Sequence, residues 1–169
     1  QQVDEEQRLR AKASFRILMT FDRAPGERDG VVDAAALDDW VDGAVAAARE
    51  MGRLNIVYTY IGHALAHSAE RDGVWPQSAV VAAIERLKSK EMEDGLFVER
   101  LNMRGLYTKQ LYEGGQQERT LAQEYRDWLA RIPPSSMRTR KLLDTIAKHW
   151  ESEAKRADEE AARDRLRYE

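Results

Sequence analysis

Residues Leu54–Ala69 form a stretch that is apolar on nearly every helical face, inside a chain of which 34% is charged. A helix with no polar face cannot lie on a surface, so its neighbours must wrap it. Taken alone, Asn55-Ile56-Val57-Tyr58-Thr59-Tyr60-Ile61 reads as a strand, being β-branched and aromatic. The continuation Gly62-His63-Ala64-Leu65-Ala66 restores helix formers and reaches helix length, which predicts one buried central helix. Its longest apolar part, Leu54–Ala66, is interrupted by Asn55, Thr59 and His63 and is too short to span a bilayer.

Flanking patterns supply elements to surround it. Leu9, Ala13 and Ile17, widened by Phe15 and Leu18, predict a helix over Asp4–Phe21, ended by the turn cluster Ala24–Gly30. Asp33 is a candidate N-cap for a helix carrying Leu37, Trp40, Val41, Ala44, Val45 and Ala48, with Gly52 as its stop. Arg71-Asp72-Gly73 is a turn, and Pro76 sits where a first helical residue is tolerated. Val80, Ala83, Ile84 and Leu87 mark the next helix. Met92, Leu96 and Leu101 mark a weaker one, where Gly95 costs about 1 kcal/mol relative to alanine and suggests two short turns. Leu121, Ala122, Tyr125, Trp128 and Leu129 form a stripe over Gln116–Arg131, closed by Pro133-Pro134. A last helix is expected from Ser135 or Ser136 toward the end. Its seam of Leu143, Ala147, Trp150, Ala154, Ala157 and Ala161 alternates steps of four and three.

The expectation is therefore an all-α bundle of about six or seven helices, with a buried central helix and a long charged C-terminal helix. With 169 residues the chain suits one domain: 1–30 an N-terminal helix and turn, 33–132 the core helices, 135–169 the C-terminal helix. A formal net charge of −3 supplies no global basic field for nucleic acid. No cysteine occurs, which rules out disulfides and thiolate metal sites and fits a cytoplasmic setting. The chain starts Gln1-Gln2 without a signal-peptide pattern, which reads as a piece of a longer polypeptide or a trimmed chain.

The stretch Asn102–Gly115 (NMRGLYTKQLYEGG) concentrates whatever chemistry the chain carries. Connections this long inside a compact helical domain are usually either functional or mobile. Gly114-Gly115 precede a helix start, whose free N–H groups and dipole favour anions, and Arg100, Arg104 and Lys109 can clamp the same anion. Against a phosphate cradle, the Walker-type Gly-Lys-Ser/Thr ending is missing, and Glu113 and Glu118 stand beside the proposed site. The alternative is a structural network. Here Asn102 turns the chain, Arg104 bridges to Glu118 or Glu113, and Arg119 reaches the carbonyls of the preceding helix end.

Other constellations are thinner. His63 and His67 lie four apart on one helix face with Glu70 a turn further on, the weak outline of a metal site that lacks a fourth ligand. No metal or other cofactor is expected. Ser68, Ser78, Ser135 and Ser136 lack a nucleophile elbow, so the chain leans away from being an enzyme. Arg138, Arg140, Lys141 and Lys148 cluster without a nucleic-acid signature, which makes nucleic acid an unlikely partner. The mixed charges from Lys155 to Arg165 read as an exposed, salt-bridged helix.

Asp72-Gly73-Val74-Trp75-Pro76, then Asn102-Met103-Arg104-Gly105, then Gly114-Gly115-Gln116-Gln117-Glu118-Arg119-Thr120-Leu121-Ala122 with Tyr125 resemble a recurring bacterial module. It is an uncharacterised helical domain often found toward the C-terminal end of larger proteins. The resemblance covers roughly Leu37 to Ala161 and implies that Asn102, Arg104, Gly105, Gly114, Gly115, Glu118 and Arg119 share one local arrangement. It implies no activity, and Lys109 stands where arginine is expected.

Together these readings predict a non-enzymatic protein-interaction or scaffold module within a larger bacterial protein. Its partner would be another protein, a parent-chain domain, or a second copy docking along the C-terminal seam if that seam is not packed internally. The alternative is phosphate, nucleotide or nucleic-acid binding at Asn102–Gly115, with Asn102, Arg104, Gly105, Lys109, Gly114, Gly115, Glu118 and Arg119 as the binding residues.

Overall fold

The computed structural model describes residues 22–110 and 112–168. The helix expected over Asp4–Phe21 lies outside them. The described chain is an all-α bundle with one small hairpin. Strands β1 (Glu27–Arg28) and β2 (Val31–Val32) precede α1 (Ala34–Glu50), α2 (Leu54–Ala66), α3 (Ser78–Leu87), α4 (Lys90–Asn102), α5 (Gln116–Arg131) and α6 (Met137–Tyr168). Among the described residues, no helix is long and apolar enough to cross a membrane.

The hairpin is a detail that reading Ala24–Gly30 as a turn did not resolve. β1 and β2 pair antiparallel, with Glu27 opposite Val32 and Arg28 opposite Val31. Asp29 and Gly30 both take positive φ, 52° and 74°, the requirement of a two-residue hairpin turn. Gln77 locks this hairpin to the bundle. Its Oε1 accepts from the Val32 N–H at 3.1 Å, and its Nε2 donates to the carbonyls of Gly30 and Ala69, each at 2.9 Å. To reach them Gln77 is extended, with ψ 157°, so α3 begins after it. Pro76 consequently falls two residues ahead of the helix rather than at its first position.

Asp33 caps α1 as expected, its carboxylate accepting from the Ala36 N–H at 2.8 Å. Leu37, Val41, Val45 and Ala48 are buried. The helix ends in a Schellman turn: the Gly52 N–H donates to the Arg49 carbonyl and the Arg53 N–H to the Ala48 carbonyl. Asn55–Ile61 is helical, not a strand, within α2. Burial of α2 is confined to its second half, at Ile61, Gly62, Ala64, Leu65 and Ala66, while Ile56 is exposed.

α2 packs mainly against α4, and α5 against α6; α1 joins α2 to α3, and α3 reaches α6. The core collects Leu37, Val41, Ile61, Leu65, Trp75, Val80, Ile84, Met92, Leu96, Leu143 and Ile146. Two glycines set the distance between α2 and α4. A Cβ on Gly62 would enter the Met92 carbonyl, and one on Gly95 would enter the Thr59 carbonyl. Gly95 therefore does not divide its helix into two turns. α4 runs unbroken for 13 residues, capped by Ser89, whose hydroxyl accepts from the Met92 N–H at 3.2 Å. The penalty of a helical glycine is offset because backbone meets backbone there.

The α6 seam divides in two. Leu143, Ala147, Trp150 and Ala154 are buried, and Ala157 and Ala161 are half-buried. Its first four positions pack inside the bundle and are not a free docking stripe.

The glycine contacts generate a paired expectation. Gly62→Ala should destabilise by about 1–3 kcal/mol through overpacking. Gly43→Ala, inside α1 where an added Cβ meets nothing within 4 Å, should stabilise by about 0.5–1 kcal/mol. Urea unfolding of both variants checks the pair. Equal shifts for the two would contradict the close approach of α2 and α4.

Candidate functional site

The connection between α4 and α5 is organised by one buried carboxylate. Glu118, in the first turn of α5, is 2% exposed. Arg104 donates to its Oε1 at 2.6 Å, and Lys109 donates to its Oε2 at 2.8 Å. Lys109 also donates to the Gly114 carbonyl at 3.0 Å, which closes the end of the loop onto its middle. Burial works to raise the Glu118 carboxyl, but the hydrogen bonds from Lys109, Arg104 and its own backbone amide outweigh it. The group is held below the usual glutamate range.

Arg104 lies close to two aromatic rings. Its guanidinium lies 3.5 Å from the centre of the Tyr107 ring and 5.1 Å from that of Trp150. The loop is closed further by Gln117, whose amide donates to the Thr108 carbonyl at 2.8 Å, and by Glu113, which accepts from the Gln110 N–H at 2.8 Å.

A second carboxylate, Asp158 of α6, holds the start of α5. It accepts from the Gly115 N–H at 2.8 Å and pairs with Arg119 at 2.7 Å. These two contacts hold the Asp158 carboxyl below its usual range. Gly115 itself presses on α6: a Cβ there would enter the Ala154 carbonyl. The N-terminal end of α5 thus has one intramolecular carboxylate on its capping N–H and another in its first turn, both positions that favour negative charge.

Of the residues singled out from sequence, Arg104, Lys109 and Glu118 converge on one ion cluster. Gly114, Gly115 and Arg119 gather around Asp158. Asn102 and Gly105 are exposed and contribute a turn, in which the Gly105 N–H donates to the Asn102 carbonyl at 3.0 Å. Arg119 finds Asp158 rather than the carbonyls of the preceding helix end. Asp158 was hidden because its spacing within α6 is equally suited to pairing inside that helix. Its real partners lie 39 and 43 residues away.

The histidine pair also finds an unexpected partner. His67 Nε2 lies 2.8 Å from Glu99 Oε1, and His63 Nδ1 lies 3.8 Å from Glu99 Oε2. The carboxylate comes from α4, not from Glu70. Among the described residues, no group of three or more His, Cys, Asp or Glu side chains is placed to hold a metal ion.

Four other cations singled out from sequence, Arg100, Arg138, Arg140 and Lys148, have partners within the fold. Arg100 stacks 4.1 Å from the centre of the Trp75 ring and donates to the Tyr125 hydroxyl at 2.8 Å. Arg140 donates to the Leu129 and Ile132 carbonyls, satisfying the C-terminal end of α5. Arg138 pairs with Glu93, and Lys148 with Asp144.

These features define an all-α bundle with an internally neutralised loop. Comparison with known protein families, curated proteins and solved structures finds no match. The likeness to a bacterial helical module therefore rests on the sequence motifs themselves.

Glu118→Gln leaves Arg104 and Lys109 without their counter-charge. It should cost about 3 kcal/mol, toward the lower end for a broken buried pair because Lys109 keeps some solvent. Arg104→Ala should cost less, about 2 kcal/mol, since Lys109 still serves the carboxylate. The native Glu118 carboxyl is depressed, so its contribution is full above the unfolded glutamate range and is lost as pH falls through the native value. Denaturant titrations from pH 7 to pH 3 should show this acid loss in the parent and a shallower slope in Glu118→Gln. Identical slopes would show that Glu118 is not held ionised by its neighbours.

Proposed function

We propose that the chain is a non-enzymatic protein-interaction or scaffold module of a larger, cytoplasmic bacterial protein. It would dock through the end of α4 and the loop that follows. The observation that carries this reading is the contrast between the base of the loop and its outer face. The base is anchored by the Arg104–Glu118–Lys109 cluster. The end of α4 and the start of the loop expose large apolar side chains to water. Leu106 is fully exposed, and Val98, Met103 and Tyr107 are each exposed as well, all within residues 98–107. Apolar side chains displayed on an anchored segment are a recurrent feature of protein-binding surfaces. Anchoring also lowers the entropy lost when a partner settles on it.

The motif resemblance supports the bacterial and modular parts of the reading. The geometry gives less support to a phosphate or nucleotide ligand, because both loop cations already face a carboxylate of the same chain.

Leu106→Asp alters no internal hydrogen bond or ion pair, so its stability should stay within about 0.5 kcal/mol of the parent. The same change should abolish a complex recovered by pull-down from a bacterial host. For a self-associating chain, it should lower the mass measured by light scattering. A parent protein that is strictly monomeric and captures nothing that Leu106→Asp loses would overturn the proposal. A thermal shift worth about 2.7 kcal/mol with a nucleotide at 100 times its dissociation constant would favour the rival ligand.

A further inference from the structure

We draw no further inference here: the strongest candidate, the groove between the β1–β2 hairpin and the α5–α6 turn, lined by apolar residues such as Val31, Val74 and Ile132 together with Arg71, Asp72 and Arg131, is an unpartnered surface, and nothing in the structure shows what covers it.

Discussion

Backbone-to-backbone contact at three glycines sets the geometry on which the rest of the bundle depends. Gly62 and Gly95 bring α2 and α4 together, and Gly115 brings the start of α5 onto α6. Main chains this close leave no room for an intervening side chain, so the axis separations follow from the absence of a Cβ. Once these pairs are set, the larger residues fill the remaining space. Leu37, Ile61, Leu65, Ile84, Met92, Leu96, Leu143 and Ile146 are all fully buried. Such packing gives one well-defined arrangement because a small change of volume is felt directly.

The Gly115 contact also carries the candidate site. It seats α5 so that Glu118 is buried and Asp158 can reach the Gly115 amide. A buried carboxylate is costly unless it is paired and hydrogen-bonded. Arg104 and Lys109 meet that requirement from the loop, and in doing so they determine the path of the loop. Tyr107 then rests on Arg104, while Leu106 has nothing of the chain to rest on. The outer face of the loop thus follows from the electrostatics of its base. The proposed docking role and the stability of the fold draw on the same cluster.

Much of this was legible in the chain. The 3.6-residue stripes located α1, α3 and α5, and α5 spans Gln116–Arg131 just as its stripe and the Pro133-Pro134 stop predict. Asp33 and Gly52 marked the ends of α1 by local chemistry that needs no tertiary information. Arg104 with Glu118 was readable because the two residues are near in sequence and opposite in charge. Other features depend on partners far along the chain. Gly95 looks like a helix weakness until Thr59 is placed against it. Asp158 and Glu99 look like surface carboxylates until α6 meets α5 and α4 meets α2. The small residues of the α6 seam suit an external helix as well as an internal one, and only packing decides that Leu143 through Ala154 face inward.

The N-terminal end of α5 is neutralised from within, by Glu118 and Asp158. The most direct test is to follow the backbone amide resonances of Gly115, Gln116, Gln117 and Glu118 while inorganic phosphate is added at constant ionic strength. Internal neutralisation keeps these four signals in place, because Asp158 already accepts from the Gly115 amide and Glu118 already pairs with Arg104 and Lys109. Saturable shifts confined to those amides, accompanied by movement of Arg104 or Lys109 side-chain signals, would contradict it.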